Sequence, residues 1–491
     1  MQEVLMKKGF YMSCGNFALH TDKYQINMMY AHWFHGTLNR SAVFDMYFRK
    51  LPFGNGFAVF AGLERVIDYL KNLRFDEEAI RYLAEQEENY DPDFFDELRN
   101  FRFGGDLYAM EEGTIVFPNE PLLRIKARVF EAQLIETALL NFVNFQTLIA
   151  TKAARVRRVA GSDTLLEFGS RRAQEQDAAI WGARAAYLAG FDATSNMLAG
   201  MKFGIPTKGT HAHSWVQDHD DEETAFAKFA EALPDHTSLL VDTYDVLGSG
   251  VPNAIKIAKQ LEAKGKRLQS IRLDSGDLAY LSIQARKMLD DAGLPYVSIT
   301  ASNDLDEKTI SEIKSQGARI DVWGVGTHLI TGYDQPALGG VYKLVAREME
   351  NGEFEPAIKI SANPEKITTP GIKDVYRIIS RKTGKAEGDL ITLAEGDVPN
   401  GETIRLFNPT HTYIQKKVSD YEASQLLKPI FLDGELVYTV PPLAESRKRY
   451  LEQLETFWPQ YLRGLNPEPY PVDLSRRTWD MKMELIQKYM E

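Results

Sequence analysis

Five short stretches of this 491-residue chain gather side chains able to hold phosphate, ribose, a metal ion or a flat ring. RLDSGD carries Arg272, Asp274, Ser275, Gly276 and Asp277. A cation beside two carboxylates can hold a ribose diol, a Mg²⁺ ion or an anionic ring substituent. The plainer reading of Asp277 is a helix cap, since Asp before a helix accepts from its free N–H groups. DTYD offers Asp242 and Asp245; carboxylates from neighbouring strand ends can share a Mg²⁺ that carries pyrophosphate, while a turn alone also explains Asp245. SND at 302–304, with Ser302 and Asp304, and GVGT at 324–327, with Gly326 and Thr327, combine small residues with free backbone N–H groups. Two such ends side by side suit one phosphate monoester. EFGSRRAQ adds Phe168, which can stack on a flat ring, and Arg171 and Arg172, which can grip phosphate or carboxylate in a bidentate manner.

GTHAHSW holds His211 and His213 two apart, as on one face of a strand. Three readings fit that spacing: a pair of metal ligands, a reactive histidine that accepts a phosphoryl group on nitrogen, or a plain buried histidine. Spacing alone does not separate them.

The elements that must carry these residues alternate. TLLEFG (164–169) precedes an Ala-rich helical stretch at 176–189, HTSLLVDTYD (236–245) one at 251–264, SIRLDSGD (270–277) one at 278–292 and VSITASND (297–304) one at 306–315; IDVWGVGTH (320–328) closes the series. Strands alternating with helices imply right-handed crossovers and a parallel sheet. Each strand ends in polar or Gly residues, and the carboxyl ends of such strands share one mouth, as in a (β/α) barrel. About six strand–helix units are legible, fewer than a regular barrel has. Upstream, AGLERVIDYLKNL (61–73) is an amphipathic helix and 43–48 and 122–130 are strands, with a long helical stretch over 131–159. Beyond about 340 the pattern returns to short strands and turns and ends in a charged helical tail. The expected plan is α/β: an irregular (β/α) barrel at 131–340, combined with a split α/β sandwich lobe formed from both chain ends, 1–130 and 341–491.

Composition narrows the function classes. Hydrophobic residues make up 44% and charged residues 26%, the balance of a globular protein. No run of about 18 apolar residues offers a membrane span, and the opening MQEVLMKKGFYMSCGNF lacks the apolar core and cleavage site of an export signal. Cys14 is the single cysteine, which excludes an internal disulfide framework and a cysteine-built zinc site and favours a cytoplasmic setting. The net charge of −12, without a long basic block, disfavours non-specific nucleic-acid binding.

Nine segments, in order TDKYQINMMYAHW, FRKLPFGNGFAVFAGLE, EFGSRRAQ, GTHAHS, DTYDV, RLDSGDL, SNDLDE, GVGTHL and LGGVYKLV, resemble the nicotinate phosphoribosyltransferase family over most of the chain. The resemblance implies a type II phosphoribosyltransferase, a head-to-tail homodimer with shared active sites. It also implies a reaction in which nicotinate and 5-phosphoribosyl 1-pyrophosphate give nicotinate mononucleotide and pyrophosphate, a step of NAD biosynthesis. ATP hydrolysis drives that reaction through a transient phosphohistidine, with Mg²⁺ as the metal. Carried over motif by motif, His213 would be the phosphorylated residue. Thr210, Arg272 and Tyr24 would contact nicotinate, with Phe168 stacked on its other face and Tyr24 supplied by the second subunit. Arg171 would hold phosphate groups, Asp274 the ribose hydroxyls, Asp242 the Mg²⁺–pyrophosphate region, and Gly326 and Thr327 the 5′-phosphate. Ser195 in DATSNM aligns with an Asp that accepts from the amide of nicotinamide in similar enzymes. A neutral Ser there, with Arg272, favours the acid. His211 occupies a variable position of its motif, so a metal reading stays open.

Two rival classes remain. One is a metal-dependent hydrolase with His211, His213 and Asp274 as ligands; such hydrolases carry their histidine pair on the first barrel strand, whereas here it follows EFGSRR. The other is a non-catalytic nucleotide sensor, against which the intact set Arg171, Asp242, Arg272 and Asp274 argues.

Overall fold

Six short apolar segments, TLLE, AT, SLL, SIRL, SITAS and VWGV, are almost wholly buried, as strands covered on both faces must be. In the computed structural model, which describes residues 17–490, they form β1 (Thr164–Glu167), β2 (Ala193–Thr194), β3 (Ser238–Leu240), β4 (Ser270–Leu273), β5 (Ser298–Ser302) and β6 (Val322–Val325). Cys14 and the rest of the opening segment lie outside the described residues. The strands pair in parallel in the order β2-β1-β6-β5-β4-β3, so the first strand lies beside the last and the chain winds in one direction. Every carboxyl end therefore opens on the same edge of the sheet.

A helix follows each strand, and the sequence says where several begin. Asn196, Asp277 and Asp306 accept from the backbone N–H three residues on and so start the helices Met197–Phe203, Leu278–Asp291 and Glu307–Ser315. One local expectation fails. GTHAHSW is not a strand: it runs as coil into a short helix, His213–Gln217, so the two histidines do not share a strand face.

The chain divides into two units, residues 149–336 and residues up to 148 together with those from 337 on. The second is mixed and interleaves the chain ends. In its seven-stranded sheet Ser41–Phe48 pairs antiparallel with Gly340–Glu348 on one side and Leu123–Arg128 on the other. Phe48, Phe60, Phe94, Phe101, Phe117 and Phe130 are fully buried there, each contributing about 1.5–3 kcal/mol. Buried ion pairs tie residues from the two segments: Lys373 Nζ to Asp45 Oδ2 at 2.8 Å and Arg124 Nη1 to Asp374 Oδ1 at 2.8 Å. The α/β class and the lobe shared by both chain ends are as the sequence predicts.

Candidate active site

Arg272 organises the shared edge. It projects from β4, where Ile271 and Leu273 are buried on alternate positions. Its Nε donates to Ser302 Oγ at the end of β5 (2.9 Å), Nη1 to Thr210 Oγ1 (3.1 Å) and Nη2 to Asp274 Oδ1 (2.9 Å). Its Cζ lies 5.6 Å from the centre of the Phe168 ring at the end of β1. A planar fork fixes this geometry as a flexible ammonium would not, and the guanidinium has more N–H donors than these three bonds use. Ser302 also donates to Asp274 Oδ1, so two strand ends and the Thr210 loop are locked together.

Beside this network stand Asp242 and His213. Asp242, at the end of β3, is buried; its Oδ2 accepts from Asp274 N (3.0 Å) and Ser275 Oγ (2.5 Å). Its Oδ1 is buried without a hydrogen bond and lies 3.9 Å from His213 Nε2. Asp274 Oδ2 lies 3.8 Å from the same nitrogen. On the other edge of the ring, Nδ1 is 3.1 Å from Thr243 Oγ1. With Nδ1 donating to Thr243, Nε2 carries a lone pair toward the carboxylates; with the roles reversed it carries a proton. The His213 side chain is 40% exposed, open enough to meet a ligand. The orphaned Oδ1 of Asp242 and the Oδ2 of Asp274 are a pair of carboxylate oxygens of the kind that Mg²⁺ takes.

The Phe168 end is shaped by small residues. A Cβ on Gly324 would come within 2.6 Å of the Phe168 ring, and one on Gly326 within 3.1 Å of its carbonyl oxygen. Gly326 precedes the short helix Thr327–Ile330, next to the end of β1 through the β1–β6 pairing. At the end of β5, Asn303 and Asp304 both have positive φ, 95° and 43°. Strain of that kind at a strand mouth is commonly held for function. Both residues are exposed, as are Ser195 after β2 and Arg171 on the turn Ser170–Arg172.

Other predicted candidates have plainer duties. Asp277 accepts from Tyr280 N at 3.0 Å, and Asp245 from Leu247 N and Gly248 N, so both act as caps. His211 is buried beside Phe226 and Phe229; its Nε2 accepts from Leu240 N (3.1 Å) and its Nδ1 faces Ala212 O (3.3 Å). Burial holds it below the usual imidazole range, with Arg272 and His213 acting in the same sense. With both ring nitrogens engaged, it offers no lone pair to a metal, which removes the paired-histidine ligand set. Tyr24 lies in the other unit, 50% exposed on the helix Lys23–Phe34.

Sequence reasoning missed Thr243, and also the buried hydrogen bond from Thr194 Oγ1 to Glu167 Oε2 that joins the ends of β2 and β1. Thr243 sits between the carboxylates of DTYD, a motif that draws attention to its acids. Nothing in the spacing says that a hydroxyl will meet His213 from 30 residues away.

Comparisons with known proteins bear on the same residues. The family model described as "Nicotinate phosphoribosyltransferase (NAPRTase) family" matches residues 164–389, and the models of that family's N-terminal and C-terminal domains match 19–144 and 372–482. Nicotinate phosphoribosyltransferase of Bacillus subtilis (strain 168) is 54% identical over 473 residues, covering 96% of this chain and 95% of that protein. The protein of the same name from Homo sapiens is 34% identical over 514 residues, covering 93% and 94%. The crystal structure of human nicotinic acid phosphoribosyltransferase superposes with a TM-score of 0.85 at 32% identity, over 95% of this chain and 99% of that one.

Proposed function

The chain belongs to the nicotinate phosphoribosyltransferase family, and we propose that it joins nicotinate to the phosphoribosyl group of 5-phosphoribosyl 1-pyrophosphate, with ATP hydrolysis coupled through phosphorylation of His213. The products are nicotinate mononucleotide and pyrophosphate, and the reaction serves NAD biosynthesis. The observation that carries this reading is the single network in which Arg272 bonds Thr210, Asp274 and Ser302 while facing the Phe168 ring.

Nicotinate is a nucleophile through its ring nitrogen, so no strong base is required. The nitrogen lone pair forms the bond to the ribose C1 as the C1–oxygen bond breaks, and that pair leaves with pyrophosphate. Phe168 stacks on the ring, and the donors Arg272 has to spare, with Thr210, meet the carboxylate. Ser195 takes the position where an acid would repel that group. Asp274 holds the ribose hydroxyls and opposes the positive charge that develops on the sugar. Ser302, Asp304, Gly326 and Thr327 receive the 5′-phosphate, and Arg171 reaches the phosphate groups from the turn after β1. Positioning accounts for much of the rate. Mg²⁺, held by Asp242, would neutralise the pyrophosphate leaving group.

For the coupling, Thr243 Oγ1 accepts a hydrogen bond from the Nδ1–H of His213, which the ring keeps, and Nε2 attacks the terminal phosphorus of ATP as ADP departs. Water later cleaves the N–P bond. Tyr24 would reach nicotinate from a second copy of the chain in a homodimer with shared sites. Among the described residues no helix is long and apolar enough to cross a membrane, in keeping with a cytoplasmic enzyme of small-molecule substrates. The test is to incubate the protein with nicotinate, 5-phosphoribosyl 1-pyrophosphate, Mg²⁺ and ATP and assay the mononucleotide; no product under these conditions overturns the reading. Replacing nicotinate with nicotinamide tests Ser195, since equal turnover removes its role.

A further inference from the structure

Glu167, the last residue of β1, is fully buried, with 1% of its surface exposed. Its two oxygens accept from different strand ends. Oε1 takes the N–H of Gly169, on the far side of Phe168, at 2.5 Å. Oε2 takes the hydroxyl of Thr194, the last residue of β2, at 2.5 Å. The same Thr194 oxygen accepts from Asn196 N at 2.9 Å, and Ser195 N donates to the Glu167 carbonyl at 3.0 Å. Ser195 is thus pinned from both sides, through its own N–H and through its two neighbours. The turn at Gly169 is equally confined, since a Cβ there would meet Ile330 Cβ at 2.5 Å and Glu167 Oε1 at 2.9 Å.

We propose that Glu167 and Thr194 are positioning residues that set Phe168 and Ser195 against each other, and so fix both the ring-binding site and the choice between a carboxylate and a carboxamide on that ring. The inference rests on the reaction proposed above. Burying a carboxylate costs free energy that an apolar residue of similar size would not. Burial pushes this carboxyl up from its usual range, and the Thr194 and Gly169 donors oppose that. A carboxylate offers acceptors to both donors at once and has none of its own hydrogens to place. An amide can accept with only one of its two atoms. What the acid obtains at that cost is a rigid bridge between the two strand ends that carry Phe168 and Ser195. Misplacement by about 1 Å of a group that orients substrate can cost about a hundredfold in rate, so a clamp of this kind acts on binding geometry without touching the substrate.

Thr194→Val removes the hydroxyl at nearly constant volume, and Thr194→Ser restores it. With ATP and Mg²⁺ present, Thr194→Val is expected to raise the KM for nicotinate about tenfold while changing that for 5-phosphoribosyl 1-pyrophosphate less than about twofold. Its preference for nicotinate over nicotinamide should narrow, and Thr194→Ser should return both quantities to within about twofold of the parent. Glu167→Gln, which keeps the shape and loses one acceptor, should fall between. An unchanged KM for nicotinate, a parallel rise for both substrates together with a lower Tm, or failure of Thr194→Ser to restore the parent values would overturn the positioning role. A parent protein that makes no mononucleotide overturns the proposed reaction and this inference with it. An active parent whose Thr194→Val variant behaves identically overturns the inference alone.

Discussion

Asp242 Oδ1 is buried, accepts no hydrogen bond and lies 3.9 Å from His213 Nε2, while Oδ2 of the same carboxylate is held by Asp274 N and Ser275 Oγ. One oxygen therefore builds the strand end and the other faces the histidine. Asp242→Asn separates the two duties. The amide oxygen can keep both accepted bonds, so the Tm should change little. The negative charge beside His213 is lost, and turnover in the presence of Mg²⁺ and ATP should fall by about a hundredfold. Initial rates with and without ATP, alongside a thermal melt, check this; a rate close to the parent's would remove Asp242 from the metal and phosphate region.

His213→Ala addresses the coupling directly. The ring makes one side-chain hydrogen bond, to Thr243, and is 40% exposed, so its loss should leave the sheet intact. Basal phosphoribosyl transfer without ATP should persist, and stimulation by ATP should vanish. Labelling the parent with ATP radioactive at the terminal phosphate should give an acid-labile protein phosphate that the variant lacks. Undiminished stimulation would move the coupling to another group.

Arg272→Lys keeps the charge and removes the fork. An ammonium cannot reach Thr210, Asp274 and Ser302 together as the guanidinium does, so the KM for nicotinate should rise by about 10- to 100-fold. Phe168→Leu removes only the aromatic face; because aromatic pairing is worth about 0.5–1.5 kcal/mol beyond area burial, its effect should stay within about tenfold. Steady-state kinetics with nicotinate varied at saturating co-substrates rank the two variants. A KM for Arg272→Lys equal to the parent's would mean that Arg272 acts as a charge alone.

Much of this architecture is legible in the chain because strand–helix alternation is a local signal. TLLE, SIRL and VWGV announce themselves as buried strands, and Asp277 and Asp306 announce the helices after them. Arg272, Asp274 and Asp242 are equally visible, since charged residues at the end of an apolar run need a reason to be there. The partnerships are less visible. Thr243 and Thr194 are small hydroxyl residues whose role depends on which strand ends become neighbours, and β1 lies beside both β2 and β6 only because of the winding. The histidine pair misled for a related reason. Spacing of two means one face only in a strand, and Ala212 with His213 instead begins a helix.

The buried member of that pair gives a prediction about pH. His211 is packed against Phe226 and Phe229 and accepts from Leu240 N, all of which favours the neutral ring, and burial lowers its pKa in the folded state. In the unfolded chain an imidazole titrates near pH 6.5. Above that value neither state binds the proton and the contribution of His211 to stability is complete. As the pH falls below it the unfolded state takes up the proton first, so stability is lost progressively until the folded pKa is reached. Thermal melts between pH 7.5 and 5 should therefore show a decline in the parent that is shallower in His211→Asn, which cannot titrate. Asn can supply an acceptor to Leu240 N only if its shorter side chain reaches, so at pH 7.5 the variant should also be less stable, by the cost of an unsatisfied buried N–H of about 1–3 kcal/mol, and melt at a lower Tm. Parallel curves for the two proteins would mean that His211 takes up its proton as readily in the folded as in the unfolded state, and that the Leu240 N–H is not bonded to its nitrogen.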